Sequence, residues 1–306
     1  MGDEWITGSK GMQDKETIGF IGIGIMGRSM AGHLQRAGYP LHVHNRTRAK
    51  AEELIDRGAV WHGSVASLAR VCDIVITMVG YPSDVESVYL GAEGILAHAR
   101  PGTHAIDMTT SSPALAKRIW EAAKKKEIVA LDAPVTGGDV GARDAKLSIM
   151  VGGERAAFGA MKAVFGVMGT TVVYQGPTGA GQHAKLANQI AIAGCIMGVC
   201  ESLAYAECVG LDRRTLLASI ENGAAGSRQL SVLGPRMIDG DFAPGFYVKH
   251  FVKDLGIAID VAKEMGIELP ALALAKSLYE RLAAGGLQDA GTQALYRLYV
   301  DRIAAP

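Results

Sequence analysis

The chain has 306 residues, enough for one large domain or two ordinary ones, each with its own core. Lys and Arg total 31, as do Asp and Glu, so bulk charge attraction to nucleic acid or an anionic membrane is excluded and any partner must be recognised locally. Hydrophobic residues make up 49%, against a mainly disordered chain, and 39 Gly without a collagen period point to many tight strand-to-helix turns.

Residues 1–16 begin with a polar segment that has no apolar run and contains a second methionine, Met12; it is expected to be a leader added for expression or a disordered arm. From Thr17, short β-rich runs alternate with helical spacing, and strands are predicted over 18–21, 41–44, 74–78, 104–107, 128–132, 148–151 and 172–174. Several are continuous apolar runs, as expected where crossover helices cover both faces, so the pattern predicts an α/β domain over 17–178 built on a parallel, doubly wound sheet of Rossmann type. Helices are predicted over 63–70 and 114–126, the second opened by Ser112 and Pro113 and closed by a solvated Lys124-Lys125-Lys126 run. At 176–181 the rhythm changes. One long interdomain helix is predicted over 182–209, then helices over 211–222, 249–265, 270–284 and 292–303, giving an all-helical domain over 179–306 with no convincing strand.

The most apolar stretch, 190–200, is shorter than the ~20 residues a membrane span needs, so no membrane partner is expected. Cys72, Cys195, Cys200 and Cys208 form no C-x-x-C pair and are too few for a secreted disulfide framework, which suits a reducing cytoplasm. The eight His show no metal-ligand spacing, and no metal is expected; His183 and His250 could line the cleft, but the reading favoured for both is a satisfied structural histidine.

The first predicted strand runs into Gly22-Ile23-Gly24-Ile25-Met26-Gly27, followed by helical spacing up to Gly38. In this strand–turn–helix context the pattern predicts a dinucleotide site. Gly22 permits the tight turn, Gly24 admits a pyrophosphate, Gly27 lets helix and strand pack closely, and free N–H groups at the helix start hold the anion. Where the second strand ends, an NAD site usually offers an acid to the ribose; this chain has Asn45-Arg46-Thr47. Asn45 suits a ribose hydroxyl and Arg46 a 2′-phosphate or the adenine face, so NADP is favoured and NAD possible.

Ligands in such sheets lie beyond the carboxyl ends of the strands. Three segments leave those ends: Met78-Val79-Gly80-Tyr81-Pro82, a run from Asp107 through Thr110 to Pro113, and Asp132-Ala133-Pro134-Val135-Thr136-Gly137-Gly138. The first two can border nicotinamide and its ribose; the third joins a hydroxyl to unhindered backbone N–H groups suited to a carboxylate. On the long helix, Lys185, Asn188, Gln189 and Ile192 share one face, and a lysine on an apolar helix at a domain junction needs a partner or a task.

Together these residues resemble the β-hydroxyacid dehydrogenases, the family of 3-hydroxyisobutyrate dehydrogenase. The resemblance spans 18 to about 299 and is carried by 19–27, 132–138, the Lys185 helix and Lys253-Asp254-Leu255-Gly256. It implies Lys185 as the catalytic residue, Lys253 as a cofactor contact, Thr110 beside the nicotinamide, and Thr136, Gly137 and Gly138 around a substrate carboxylate. It further implies active-site roles for Phe246 and Asp254. Two departures stand out: Thr136 replaces the family's usual Ser, and Gln189 stands where many members have Asn, leaving open whether Asn188 or Gln189 meets the substrate.

Residues 136–138, 185–189 and 224–227 are most similar to tartronate semialdehyde (2-hydroxy-3-oxopropionate) reductases. The implied reaction is NADPH-dependent reduction of a small aldehyde carboxylate to its hydroxyacid, with 3-hydroxyisobutyrate dehydrogenase or glyoxylate/succinic semialdehyde reductase as alternatives. The rivals of other kinds are an imine reductase and a catalytically silent NADP-binding assembly or sensing protein. Ala-rich helices of the second half are expected to bury surface between subunits of a homodimer or homotetramer.

Overall fold

The computed structural model describes residues 15–303, so the predicted leader up to residue 14 lies outside the described residues. Nine strands form one sheet: β1 (Ile18–Ile21), β2 (Leu41–His44), β3 (Val60–Trp61), β4 (Ile74–Thr77), β5 (His104–Asp107), β6 (Val129–Asp132), β7 (Val135–Thr136), β8 (Leu147–Gly152) and β9 (Gly169–Gly176). The order is β3-β2-β1-β4-β5-β6-β8-β7, with β9 pairing β8. The chain reverses direction across the sheet between β1 and β4, so the strand ends there open a crevice, the geometry of a Rossmann-type dinucleotide fold.

The helices between the strands are α1 (Ile25–Arg36), α2 (Glu52–Asp56), α3 (Val65–Ala69), α4 (Pro82–Leu90), α5 (Ile95–His98), α6 (Pro113–Lys124), α7 (Gly138–Arg143) and α8 (Arg155–Met168). The second half is helical: α9 (Ala180–Cys208), α10 (Arg213–Ile220), α11 (Gly234–Ile238), α12 (Val248–Glu264), α13 (Pro270–Leu282) and α14 (Arg297–Ile303). Its one described β-contact is an isolated bridge between Tyr247 and Gly291.

The apolar strand runs have a direct explanation in the packing. Ile18 and Phe20 of β1, Ile74 and Ile76 of β4 and Ile106 of β5 enter the core on one face, while Ile21, Val75 and Ala105 enter the core on the other. Successive strand residues point to opposite faces, and here both faces are covered.

Four expectations need correction. The sheet is not wholly parallel, because β8 runs antiparallel to β6 and β7. The chain turns back from β7 through the six-residue α7, too short a link for a parallel crossover. The helix predicted over 292–303 begins as a tighter 3₁₀ segment, Thr292–Tyr296, before α14. Residues 136–138 are not a free loop: Thr136 closes β7 and Gly138 opens α7. Finally, α9 is 29 residues long, and by length and composition it is apolar enough to cross a membrane; half of its most apolar window is buried inside the protein.

The two halves meet at a close joint. A Cβ on Gly181, in the first turn of α9, would lie 2.5 Å from the carbonyl oxygens of both Asp132 and Met150. Asp132 then caps that turn, Oδ1 accepting from Gly179 N at 2.8 Å and Oδ2 from Gln182 N at 2.9 Å. The start of α9 is thereby fixed against β6 and β8, and with it the phase of every side chain further along the helix.

Candidate active site

The principal cleft, about 730 Å³, opens where the sheet order reverses, a size suited to a bound cofactor. The glycine turn forms its floor. Gly22 has φ +98°, and a Cβ there would lie 2.2 Å from the Met78 carbonyl oxygen; a Cβ on Gly27 would lie 1.9 Å from the Gly22 carbonyl oxygen. At Gly24 a Cβ would meet nothing within 4 Å, so the one glycine expected to face a pyrophosphate faces open cleft. No side chain caps α1 and no acid sits in its first turn, leaving its N–H groups and positive dipole end for an anion. These features fit a dinucleotide.

Of the expected cofactor residues, Gly22, Gly24, Ile25, Met26, Gly27, Asn45, Arg46, Met78, Val79, Thr110 and Lys253 line the cleft, and so do Phe246 and Asp254. Thr47 does not. Asn45 lines it with its amide already engaged: Oδ1 accepts from Ile23 N at 3.0 Å and Nδ2 donates to Thr47 O at 2.8 Å. Its structural task is to pin the glycine turn to the end of β2. Arg46 reaches across the mouth to Asp84 of α4 at 3.4 Å.

The segment after β5 is held residue by residue. Gln182, fully buried on α9, donates through Nε2 to Thr109 O and accepts through Oε1 from Ser111 N, both at 2.8 Å. Lys253 Nζ donates to the Thr110 carbonyl between them at 2.8 Å. Thr109 Oγ1 in turn accepts from Val79 N at 3.0 Å, joining this segment to the one after β4. Behind it, Asp107 and Asp132 stand at matched positions of neighbouring strands, and burial pushes both carboxyls up to about 6.

Lys185 is buried, 6% exposed, and its Nζ donates to Gln189 Oε1 at 3.1 Å. Gln189 Nε2 donates to Asp254 Oδ2 at 2.6 Å, and Asp254 Oδ1 lies 3.0 Å from Lys253 Nζ. One polar chain therefore runs from the α9 amine to the wall of the cleft. Burial draws the Lys185 amine down to about 8, with Lys253 adding to that effect and Asp254 opposing it. Asn188, half-buried, donates to the same Gln189 oxygen at 2.8 Å. Lys185, Asn188 and Gln189 sit behind the cleft lining, one residue beyond Asp254.

Gly137 and Gly138 have φ values of +131° and +66°, and a Cβ on Gly138 would lie 4.0 Å from the Gly245 carbonyl oxygen. The carboxylate-binding turn expected there thus faces the Gly245–Phe246 rim of the cleft without lining it. His250, read from the sequence as a satisfied structural histidine, instead lines the cleft with a buried Nδ1 that has no protein partner, its ring tilted against Tyr81 at 5.5 Å. Burial, then Lys253 and Lys249, lowers its pKa. His183 is exposed. Gln182 and Asp84 are further residues to which the sequence pattern assigned no role, whereas Tyr81 lies in a segment expected to border the nicotinamide and its ribose. The spacing of the first two carried a signal only in part: Gln182 precedes Lys185 by one helical turn, and Asp84 occupies the first turn of a Pro-started helix. Among the described residues, no cluster of His, Cys, Asp or Glu is placed to hold a metal ion.

Comparison with known proteins agrees with this architecture. Residues 17–176 match the family model described as the NAD binding domain of 6-phosphogluconate dehydrogenase, and residues 179–299 that described as NAD-binding of NADP-dependent 3-hydroxyisobutyrate dehydrogenase. A Bacillus subtilis protein named uncharacterized oxidoreductase YkwC is 56% identical over 94% of this chain and 99% of its own. The 2-hydroxy-3-oxopropionate reductase of Escherichia coli is 39% identical over 88% of this chain and 92% of its own. The structure of Mycobacterium tuberculosis 3-hydroxyisobutyrate dehydrogenase with L-serine superposes with a TM-score of 0.85 at 30% identity, covering 93% of this chain and 99% of that one. The chain belongs to the β-hydroxyacid dehydrogenase family, the NAD(P)-dependent oxidoreductases typified by 3-hydroxyisobutyrate dehydrogenase.

Proposed function

We propose that this chain reduces a short semialdehyde carboxylate, with tartronate semialdehyde (2-hydroxy-3-oxopropionate) as the preferred substrate, to its hydroxyacid at the expense of NADPH. The observation that carries this reading is the buried Lys185 amine, linked through Gln189 and Asp254 to Lys253 and the Thr110 carbonyl at the cleft wall. The bound reduced dinucleotide supplies the hydride.

Lys185 does the rest of the chemistry. As the carbonyl carbon accepts hydride, negative charge grows on its oxygen, and Nζ donates the proton that completes the alcohol. An amine drawn down to about 8 remains largely protonated near neutrality yet releases its proton far more readily than a solvent-exposed lysine. Gln189 fixes the direction of that amine, and Gln182 fixes the segment beside the nicotinamide end, so both reaction partners are positioned from the same helix. The Thr136 hydroxyl and the Gly137–Gly138 turn are assigned to the substrate carboxylate. The names of the E. coli and M. tuberculosis relatives support the class: 3-hydroxyisobutyrate, L-serine and the reduced product of 2-hydroxy-3-oxopropionate all place a carboxylate two carbons from the reacting hydroxyl.

The test is NADPH oxidation with a panel of tartronate semialdehyde, methylmalonate semialdehyde, glyoxylate, succinic semialdehyde and a cyclic imine. The highest kcat/KM is expected with tartronate semialdehyde. A preference for another semialdehyde corrects the substrate and keeps the chemistry; turnover of the imine alone, or of nothing, overturns both. We also propose self-association through the helical half, where Tyr205 of α9 is 69% exposed; a monomer by light scattering at micromolar concentration would reject that.

A further inference from the structure

We propose that Asp84 sets how far the cleft discriminates between NADPH and NADH, by placing a fixed negative charge within reach of Arg46. The inference rests on the reading of the cleft as a dinucleotide site.

At the end of β2, where an acid would grip the ribose hydroxyls of NAD, the chain has Asn45 and Arg46. Asn45 makes good the loss only in part: it carries no charge, and one donor and one acceptor site of its amide are taken by Thr47 and Ile23. The acids lining the cleft are Asp84 and Asp254, and Asp254 is bound to Lys253 and Gln189 on the far side. Asp84 is therefore the one carboxylate available to the ribose end, and it arrives from α4 on the opposite wall.

Its position is fixed. Oδ2 accepts from Tyr81 N at 3.1 Å as part of the α4 cap, and only 24% of the side chain is exposed. A Cβ on Gly80 would come within 3.3 Å of the same oxygen, so the backbone closes in behind it. Oδ1 faces outward to Arg46 Nη1 at 3.4 Å. Arg46 itself is 86% exposed, and so exposed an ion pair adds little to stability and does not lock the guanidinium. What persists is the anchored carboxylate. Where Arg46 keeps its contact with Asp84, a 2′-phosphate gripped by the other side of its fork lies about one guanidinium's width from that carboxylate. A 2′-hydroxyl meets no such repulsion and can donate to Oδ1. Like charges at that separation, partly screened by solvent, are expected to change binding by about three- to tenfold. NADPH is still held through Arg46, but its margin over NADH is narrowed.

The experiment is a fluorescence titration of NADPH and NADH against the full chain and its Asp84→Asn variant, at low and high ionic strength, with melting curves to verify folding. Asn retains an acceptor for Tyr81 N. The expected result is a Kd for NADPH about three- to tenfold lower in the variant, a Kd for NADH that is unchanged or higher, and a gain that shrinks with salt. An NADPH Kd that is unchanged or raised, or an equal tightening for both dinucleotides, overturns the proposal. Failure of the unaltered chain to bind either dinucleotide defeats the cofactor reading instead, so the two failures are distinguishable.

Discussion

The side-chain amide of Gln189 donates to Asp254 at 2.6 Å, joining α9 to α12 across 65 positions of sequence. Because the other end of that amide accepts from Lys185, the glutamine transmits the placement of α12 to the amine. Gln189→Leu is about isosteric but removes its three side-chain bonds, to Lys185, Asn188 and Asp254, and leaves Asp254 with a buried, underpaired oxygen. The expected outcome is a kcat lower by about 10- to 100-fold, with stability reduced by about 1–3 kcal/mol and the Kd for NADPH little changed. Steady-state kinetics beside a dinucleotide titration checks it; equal losses in kcat and cofactor binding would show that Gln189 serves the cleft as a whole.

As the proposed proton donor, Lys185 should carry the pH dependence. Reduction needs its protonated form, so kcat should be flat at lower pH and fall as pH rises through about 8, the value to which burial draws the amine. Oxidation of the hydroxyacid needs the free amine and should rise through the same range. Lys185→Ala is expected to lower kcat by about 100- to 10,000-fold, abolish this titration and retain NADPH binding. A Lys185→Ala enzyme with the full rate and the same profile would remove the amine from the mechanism.

Much of this was legible in the sequence because it is local. The glycine turn, the alternating strands and the single face of Lys185, Asn188 and Gln189 are written in spacings of two to four residues. What escaped was long-range. Gln182 finds Thr109 across 73 positions, and nothing near either residue announces the pairing. β3 and β7 are two-residue strands, too short for a period to register, and β8 looks the same in sequence whether it runs parallel or antiparallel. His250 was indistinguishable from a core histidine until α12 and α4 were placed on opposite sides of one cleft. Asn45 shows the converse: an amide of the right type in the right place, which also holds the turn through Ile23 N.

Asp107 gives a stability prediction with a definite sign. Its folded pKa is raised from 3.8 to about 6, chiefly by burial, so the folded protein holds that proton more tightly than the unfolded chain. The associated stability is fully present below about pH 4 and is lost as pH rises through about 6. Asp107→Asn keeps an oxygen to accept from Thr77 Oγ1 and Thr109 N and removes the buried charge. The variant should gain stability on the order of 2 kcal/mol at neutral pH, with the gain vanishing towards pH 4. Denaturant unfolding at the two pH values measures it; an advantage that does not change with pH would place the effect in packing.

The three glycines of the turn should fail in different ways. At Gly27 a Cβ would lie 1.9 Å from the Gly22 carbonyl oxygen and 3.1 Å from the Phe20 ring, so Gly27→Ala forces α1 away from β1. Overpacking of this kind costs about 1–3 kcal/mol or more, and the loss should register in thermal melting with no ligand added. Gly22→Ala adds strain at φ +98° to a contact of 2.2 Å with the Met78 carbonyl oxygen, so it too should register in the unliganded protein. Gly24 has an ordinary φ of −84° and open space where its Cβ would be. Gly24→Ala should therefore melt like the unaltered protein yet bind NADPH about tenfold or more weakly, because the new methyl occupies the approach to the α1 N–H groups. Equal melting temperatures with equal dinucleotide affinity would mean that the phosphates pass elsewhere, and the route of the cofactor across this turn would have to be redrawn.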